Sequence, residues 1–442
     1  MFILNLFGEV VQRSLGIMRI WLITIGEPLP IINDDVRLLR TGILAKKLVS
    51  RGHEVIWWTS TFDHSKKQHL FPFDKKINLS ESFSIYLLHS IGYKKNISIQ
   101  RLIDHIRVAR KFKNYSQKEM TPNIILCSLP TLELSYASTW YGNKQNIPVV
   151  LDMRDMWPDI FVSRAPSHCR WLLRVLLAIM FYKMKTTCKA AIAITGISPG
   201  YVEWGLRYAG RDKTDFDRAF PMGYSDESPA QEKIEAAKAF WKAYGISSDN
   251  NEFVVCLFSS MVRQFKLETV IDAARSLEKT RRRFRFVFCG RGDALDYFKK
   301  VAEGCKTVLF PGWVDKPEIW TLMRISKAGL APYRSTEDFT MSIPNKAIEY
   351  MSAGLPVISS LKGTLQELLL EHNAGAIYEN DNPGSLFSLL CDLYDHPEKL
   401  NVISKNSHAI YRERFIAEKV YSNMCDYIEQ IAGHGCSRGT DG

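Results

Sequence analysis

The chain has 442 residues, 46% hydrophobic and 24% charged, a balance that excludes a disordered polymer and a length that exceeds one ordinary core, so two domains are expected. A formal net charge of +11 favours anionic partners: phosphorylated small molecules, nucleic acid or an anionic membrane surface. The nine cysteines contain no CxxC pair and read as free thiols of a reducing compartment, against a disulfide framework or zinc ligands.

The opening MFILNLFGEVVQRSLGI lacks the basic start and small-residue cleavage site of a signal peptide, and residues 1–17 read as an extension ahead of the first strand. RIWLITI (19–25) predicts that strand, residues 36–52 a helix with apolar positions at helical spacing, and HEVIWWTS (53–60) the next strand. SIYLLHS (84–90), NIILCSL (123–129), PVVLDM (148–153) and AAIAIT (190–195) continue the alternation. Within it, the amphipathic region 168–187 mixes Trp and aliphatic residues with Arg and Lys. It suits an interfacial helix on an anionic membrane, or equally a helix buried against a sheet. It is too short to span a bilayer.

Residues 224–251 interrupt the series, being polar and without a strand. A second set follows: FVVCLFSS (253–260), RFRFVFCG (283–290), TVLFPG (307–312), AGLAPY (328–333), PVISS (356–360) and GAIY (375–378). Short apolar runs separated by helix-length segments are the pattern of parallel sheets covered on both faces. Two doubly wound α/β domains in series are expected, with the ligand site in a cleft between them. The helical stretch 398–431 is expected to reach back to the first domain.

FSSMVRQFKLETVIDAA (258–274) reads as strand, polar loop and helix. Loops at the carboxyl ends of such strands line the ligand crevice, so Arg263 and Lys266 are candidates for holding phosphates, the alternative being a solvated basic loop. In FTMSIPNKAIEYMSAGLPVISS (339–360), Pro344 suits a first helical position, which would aim the amides near Ser342 and Ile343 at an anion. Glu349 could accept both hydroxyls of a ribose, or be an exposed helix residue paired with Lys346. His64 and His69 read as surface-loop histidines, DFD (215–217) as loop acids, and no metal is expected. CGRGDALDYF (289–298) lacks the third glycine of a dinucleotide fingerprint, which argues against a dehydrogenase. KTRRRFRF (279–286) raises nucleic-acid binding, but no aromatic platform surrounds it.

SIPNKAIEYMSAGLPVISS followed by LQELLLEHNAG resembles the nucleotide-sugar signature of glycosyltransferase family 4, the retaining group with the GT-B fold. From Met18 onward, GEPLPI (26–31), LDMRDMWPD (151–159) and GISPGY (196–201) resemble bacterial members that assemble O-antigen or capsule units, with the L-fucosamine (N-acetylfucosamine) transferases as the nearest image. The resemblance implies an acceptor-binding Rossmann-like domain at 18–224, joined by 398–431, and a nucleotide-sugar domain at 246–397. It places Gly26 and Glu27 near donor phosphates and acceptor, and gives the diphosphate to Arg263 and Lys266. Glu349 takes the ribose, and the backbone at Ser342 and Ile343 supports phosphates or sugar, with Asn345 and Lys346 beside them. Gly290, Trp313 and Val314 lie near the base.

Three departures stand out. Met341 occupies the first position of the family's usual glutamate pair. Arg154 and Asp155 stand where a His is common and are carried as catalytic candidates, and Ser259 replaces a common Gly. The resemblance implies transfer from a UDP-activated sugar to an undecaprenyl-diphosphate-linked acceptor at the cytoplasmic face of the inner membrane. The nucleotide sugar is then a substrate, and no cofactor is needed. A UDP-sugar epimerase of similar architecture is the enzyme alternative.

Overall fold

A computed structural model describes residues 16–31 and 38–437, with side chains through His434. Most of the expected extension, residues 1–15, lies outside the described residues, as do 32–37. The chain divides into two compact units, residues 1–221 with 419–442, and residues 222–418.

The first unit is built on a seven-stranded sheet: β1 Arg19–Ile23, β2 Glu54–Ser60, β3 Lys75–Asn78, β4 Phe83–Leu88, β5 Ile124–Leu129, β6 Val149–Met153 and β7 Ala193–Gly196. Their spatial order is β3-β4-β2-β1-β5-β6-β7, parallel throughout except where β3 pairs antiparallel with β4. β1, β5 and β6 are buried along nearly their whole length, as strands covered on both faces must be. Trp21 and Trp58 meet edge-on at 5.1 Å on one face, and Trp21 stacks on Tyr141 at 5.2 Å. β3 escaped prediction because KKIN has only one apolar residue. Its lysines suit an exposed sheet edge, where they discourage pairing with another chain.

Helix α1 (Arg40–Ser50) follows β1, α2 (Ile99–Ser116) follows β4 and α3 (Leu132–Gln145) follows β5. Helices α4 (Arg170–Leu176) and α5 (Ala178–Ala190) share the amphipathic region between β6 and β7. α4 has no buried residue, while α5 buries Met180, Met184 and Cys188. The buried alternative therefore holds for one face of α5 and not for α4.

The second unit carries six parallel strands: β8 Phe253–Phe258, β9 Phe284–Cys289, β10 Val308–Gly312, β11 Ala328–Ala331, β12 Val357–Ser359 and β13 Gly375–Ile377. Their order, β10-β9-β8-β11-β12-β13, is the Rossmann order, with its switch point between β8 and β11. Leaving out the edge strand β3, the first sheet has the same order, with its switch between β1 and β5. The basic run at 279–286 is absorbed by this sheet. Phe284 and Phe286 are buried, Arg282 pairs with Asp395, and Arg285 pairs with Glu252.

Two expected boundaries change. The polar stretch 224–251 contains helix α6 (Gln231–Ala243), whose Ile234, Ala237 and Trp241 form one buried stripe. The indole N–H of Trp241 donates to the Glu318 carbonyl at 2.9 Å, so the second unit starts at Met222 rather than 246. At the other end, residues 398–418 stay with the second unit: Ser407 donates to the Leu355 carbonyl at 2.7 Å, and Ile410 and Phe415 join its core. Only from Lys419 does the chain return to the first unit, where Met424, Tyr427, Ile428 and Ile431 enter the core. There Arg51 reaches Asp426 at 2.6 Å, and His53 Nε2 lies 3.0 Å from Glu429. The His53 Nδ1 accepts the Met18 amide, so Nε2 carries the proton and donates to that carboxylate.

Candidate active site

In the second unit, three loops at the carboxyl ends of the strands are laced together by main-chain hydrogen bonds. The Ser259 amide donates to Cys289 O and the Met261 amide to Arg291 O, both at 2.9 Å. The Lys266 amide donates to Pro332 O at 2.9 Å and the Arg334 amide to Gln264 O at 3.0 Å. This lacing depends on glycine. Gly290 has φ +141°, and a Cβ there would lie 1.7 Å from the Ser259 carbonyl oxygen. At Gly292 a Cβ would lie 2.2 Å from Met261 O. The tight approach is thus backbone to backbone on the glycine side, and the Ser259 side chain stays half-buried.

Arg263 is exposed, its guanidinium carbon 4.5 Å from the centre of the Tyr297 ring, a geometry that holds the charge in place without a carboxylate. Lys266 immediately precedes helix α7 (Leu267–Glu278), and its ammonium meets Asp381 at 2.6 Å. That hydrogen bond holds the exposed Asp381 carboxyl below its ordinary range. A third cation, Arg334, enters from the loop after β11, donating from Nε to the Arg263 carbonyl at 3.0 Å. The sequence reading missed it. Its one signal is PYRS following a strand, and that matters only once β11 is known to lie beside β8.

Helix α8 (Asn345–Ser352) packs on β11 through Gly329, where a Cβ would meet the Tyr350 ring at 2.2 Å. Pro344 caps the helix instead of occupying its first turn, because its ψ of 141° is still extended. The Ser342 amide is spent in a turn to Phe339 O at 3.2 Å, which corrects its expected outward role. The amides of Ile343 and Asn345 donate no hydrogen bond among the described residues. Asn345 is exposed, and Lys346 and Met341 are half-buried. Glu349 is buried at 6% exposure, which removes the reading of it as an exposed surface residue. Burial first, and then the Glu349 charge, raise the phenol pKa of Tyr333. Tyr333 bridges to Phe265 in the loop that carries Arg263 and Lys266. The segments that carry Glu349 and the three cations are thus linked through Tyr333 and the loop after β11, beside the switch point.

Trp313 is 58% exposed and donates its indole N–H to Asp315 at 3.0 Å, while Val314 is buried. Both follow the edge strand β10, two strands from β8 and so roughly 10 Å across the sheet.

In the first unit the predicted residues enter a buried ion network. Gly26 has φ +86° in the bend after β1. Glu27 next to it accepts the Thr41 amide at 3.0 Å and the Thr41 hydroxyl at 2.7 Å, at the start of α1. Arg154 pairs with Glu27 and with Asp152 at 2.7 Å, and donates to Thr41 Oγ1 at 3.1 Å. Arg40, fully buried, donates to Asp152 at 3.1 Å and to the Phe220 carbonyl at 2.7 Å. Burial would raise the Asp152 pKa, but Arg40 and Arg154 hold it below the usual carboxylate range. Burial acts against the Arg154 charge as well, yet Asp152 and Glu27 raise its pKa further. The Asp155 Oδ1 accepts the Met156 amide at 2.8 Å. Arg40 and Asp152 went unpredicted because one sits in an apolar helix pattern and the other in an apolar strand.

Residues 245–409 match the family model of glycosyl transferases group 1. The D-rhamnosyltransferase WbpZ of Pseudomonas aeruginosa is 28% identical over 166 residues, which cover 36% of this chain and 41% of that protein. The chain thus spans about two fifths of the length of the curated relative it matches. The sucrose-phosphate synthase of Thermosynechococcus elongatus superposes with a TM-score of 0.69 at 17% identity, over 94% of this chain and 100% of that one. Anabaena HepE in complex with UDP and glucose gives 0.62 at 16% identity, over 93% and 100%. WaaG, a glycosyltransferase involved in lipopolysaccharide biosynthesis, gives 0.61 at 13% identity, over 93% and 99%. The chain has the GT-B fold with two Rossmann-like domains, and most of its second domain matches the glycosyl transferases group 1 family.

Proposed function

We propose that the protein is a retaining, metal-independent glycosyltransferase of family 4 type. It moves an amino or deoxy sugar from UDP to a polyprenyl-diphosphate-linked acceptor in the synthesis of O-antigen, capsule or a related surface polysaccharide. The observation that carries this reading is the cationic crevice of Arg263, Lys266 and Arg334, joined through Tyr333 to the buried Glu349, within the segment that matches group 1. Cations and first-turn amides suit a diphosphate, and a buried carboxylate suits a ribose. In retaining transfer of this kind the acceptor hydroxyl attacks from the side the nucleotide leaves, and a leaving-phosphate oxygen takes its proton. The protein then positions both substrates and stabilises the charge growing on the diphosphate. UDP is favoured over GDP by the UDP complexes of HepE. A thermal-shift series tests the donor: UDP at a hundredfold excess over its Kd should stabilise the protein by about 2.7 kcal/mol. Equal indifference to UDP, GDP and their sugars would remove the reading.

An acceptor on a lipid places the enzyme at the cytoplasmic face of the inner membrane, and α4 and α5 support this. Trp171 and Ile179 are 68% and 71% exposed, with Val175, Leu176 and Tyr182 exposed beside them. Six Arg or Lys residues lie between 164 and 189, and no Asp or Glu between 160 and 202, so the surface complements anionic lipid. Among the described residues no helix is long and apolar enough to cross a membrane. The protein should float with phosphatidylglycerol vesicles in low salt and release in high salt, and Trp171→Glu with Ile179→Glu should abolish flotation. Flotation that survives both substitutions would move the contact elsewhere.

A further inference from the structure

We propose that Lys67, His64 and Arg101, gathered around Tyr93 in the first unit, form an anion subsite that takes the diphosphate of a lipid-linked acceptor; this rests on the transfer reading above. Lys67 ends the turn of a short hairpin, Phe62–Asp63 with Gln68–His69, in the left-handed region at φ 56°. That conformation is uncommon for a residue with a side chain. It holds the Lys67 ammonium 4.8 Å from the centre of the Tyr93 ring and 3.3 Å from His64 Nδ1. The Tyr93 hydroxyl lies 2.7 Å from the same His64 nitrogen, and the Arg101 guanidinium carbon is 5.3 Å from the ring. Trp157 covers Arg101 from another side at 4.6 Å.

What distinguishes this cluster is how its charge is balanced. Other buried or part-buried cations of this unit meet carboxylates, as Arg40 does Asp152 and Arg211 does Asp217. Here the oxygen partners are neutral and come from one residue: Lys67 donates to Asn96 Oδ1 at 2.5 Å and Arg101 to the Asn96 carbonyl at 2.8 Å. The nearby acids hydrogen-bond elsewhere, although the Asp63 charge still acts on Lys67 and His64. Asp63 accepts the Ser65 and Lys66 amides, and Asp104 accepts the Gly92 amide at 2.7 Å. The buried Arg101 Nε has no hydrogen-bond partner among the described residues. Burial, and then the charges of Lys67 and Arg101, push the His64 imidazole down to about 4. Arg101 likewise disfavours the Lys67 charge, and an arriving anion would relieve these two like-charged groups.

Two further features select the ligand. Ile97 and Ile99, directly after Asn96, are 73% and 78% exposed, and Leu102 and Ile103 extend the apolar shoulder. A diphosphate carrying a hydrocarbon chain would satisfy both the cations and the shoulder. The cluster also adjoins the β1 loop, because a Cβ on Gly26 would lie 3.9 Å from His64 Cβ.

Isothermal titration of the full chain, with UDP saturating so that the donor crevice is filled, tests this with farnesyl diphosphate and inorganic pyrophosphate. Farnesyl diphosphate should bind at least ~10-fold tighter than pyrophosphate, consistent with burial of apolar carbons. Lys67→Gln with Arg101→Gln should weaken both ligands by ~10-fold or more, whereas Lys67→Arg, which keeps the charge, should not. Ile97→Ser with Ile99→Ser should reduce farnesyl diphosphate to the strength of pyrophosphate. UDP-induced stabilisation should be the same in every variant, so a failure here is separable from a failure of the donor reading. Equal affinity for the two ligands in the parent chain, or binding indifferent to the charge-removing pair, would overturn the proposal.

Discussion

Arg263→Ala should lower turnover about 100-fold, a transition-state loss on the order of 3 kcal/mol, while thermal unfolding moves by no more than about 2 °C. The two effects separate because of where the residue sits. Arg263 is exposed and stacks on Tyr297, so its removal opens no cavity and strands no buried charge. The loop that carries it stays in place through main-chain bonds, from the Lys266 amide to Pro332 O and from the Arg334 amide to Gln264 O. A preorganised cation acts on charge that develops only as the sugar–phosphate bond breaks, so the loss should fall on kcat more than on KM. Arg263→Lys should recover part of the rate, since it restores charge without the two-pronged fork. Lys266→Ala should cost less, because its ammonium already shares a bond with Asp381 that a phosphate must displace. The measurement is initial rate against donor concentration with an acceptor analogue. Turnover near that of the parent chain would take Arg263 out of the reaction.

The difference between what the sequence disclosed and what it hid follows from physics in each case. Strands such as FVVCLF and PVVLDM were legible because a strand buried on both faces must be a short continuous apolar run. Helix α6 was not, because its three buried residues are spread over a segment otherwise rich in Glu and Lys. The loop of Arg263 and Lys266 could be found by following a strand to its carboxyl end. Arg334 could not, since its place beside them depends on β11 pairing with β8 across intervening strands and helices. Sequence order does not contain that pairing; the Rossmann strand order supplies it. Glu349 had two readings at the level of residue type, exposed or ligand-facing, and burial removes the exposed one. Arg40 with Asp152 shows the opposite limit, for a buried charge in an apolar pattern is invisible until its partner is placed. Glu27 and Arg154, read as separate site residues, turn out to share one ion pair.

That network sets the second large expectation: Asp152→Ala should destabilise the protein by about 3–5 kcal/mol. Asp152 and Arg40 are both fully buried, and Arg154 is nearly so, with 16% of its side chain exposed. Deleting the carboxylate leaves Arg40 without its acid and Arg154 with Glu27 alone, in a region that water barely reaches. At roughly 2–4 °C per kcal/mol for domains of this size, the unfolding midpoint should fall by about 10 °C. Asp152→Asn keeps the shape and the acceptor for the Thr195 hydroxyl, now at 3.1 Å, and should cost less than the alanine. The pH dependence has a defined sign. The folded pKa of Asp152 lies below its unfolded value near ~3.9, so its contribution is fully present above that value and is lost as the pH falls through the folded pKa. The parent chain should therefore lose more stability than Asp152→Ala when the pH is lowered through the acid range, and the two curves should converge at the acid end. Replacing Arg40 and Asp152 together by apolar residues of similar volume should restore much of the loss, because the penalty comes from an unpaired buried charge rather than from the absence of the pair. Midpoints for the single and double variants between neutral and acid pH would decide it; an alanine variant as stable as the parent at neutral pH would mean that solvent reaches the pair and that the network does not hold β6 to α1.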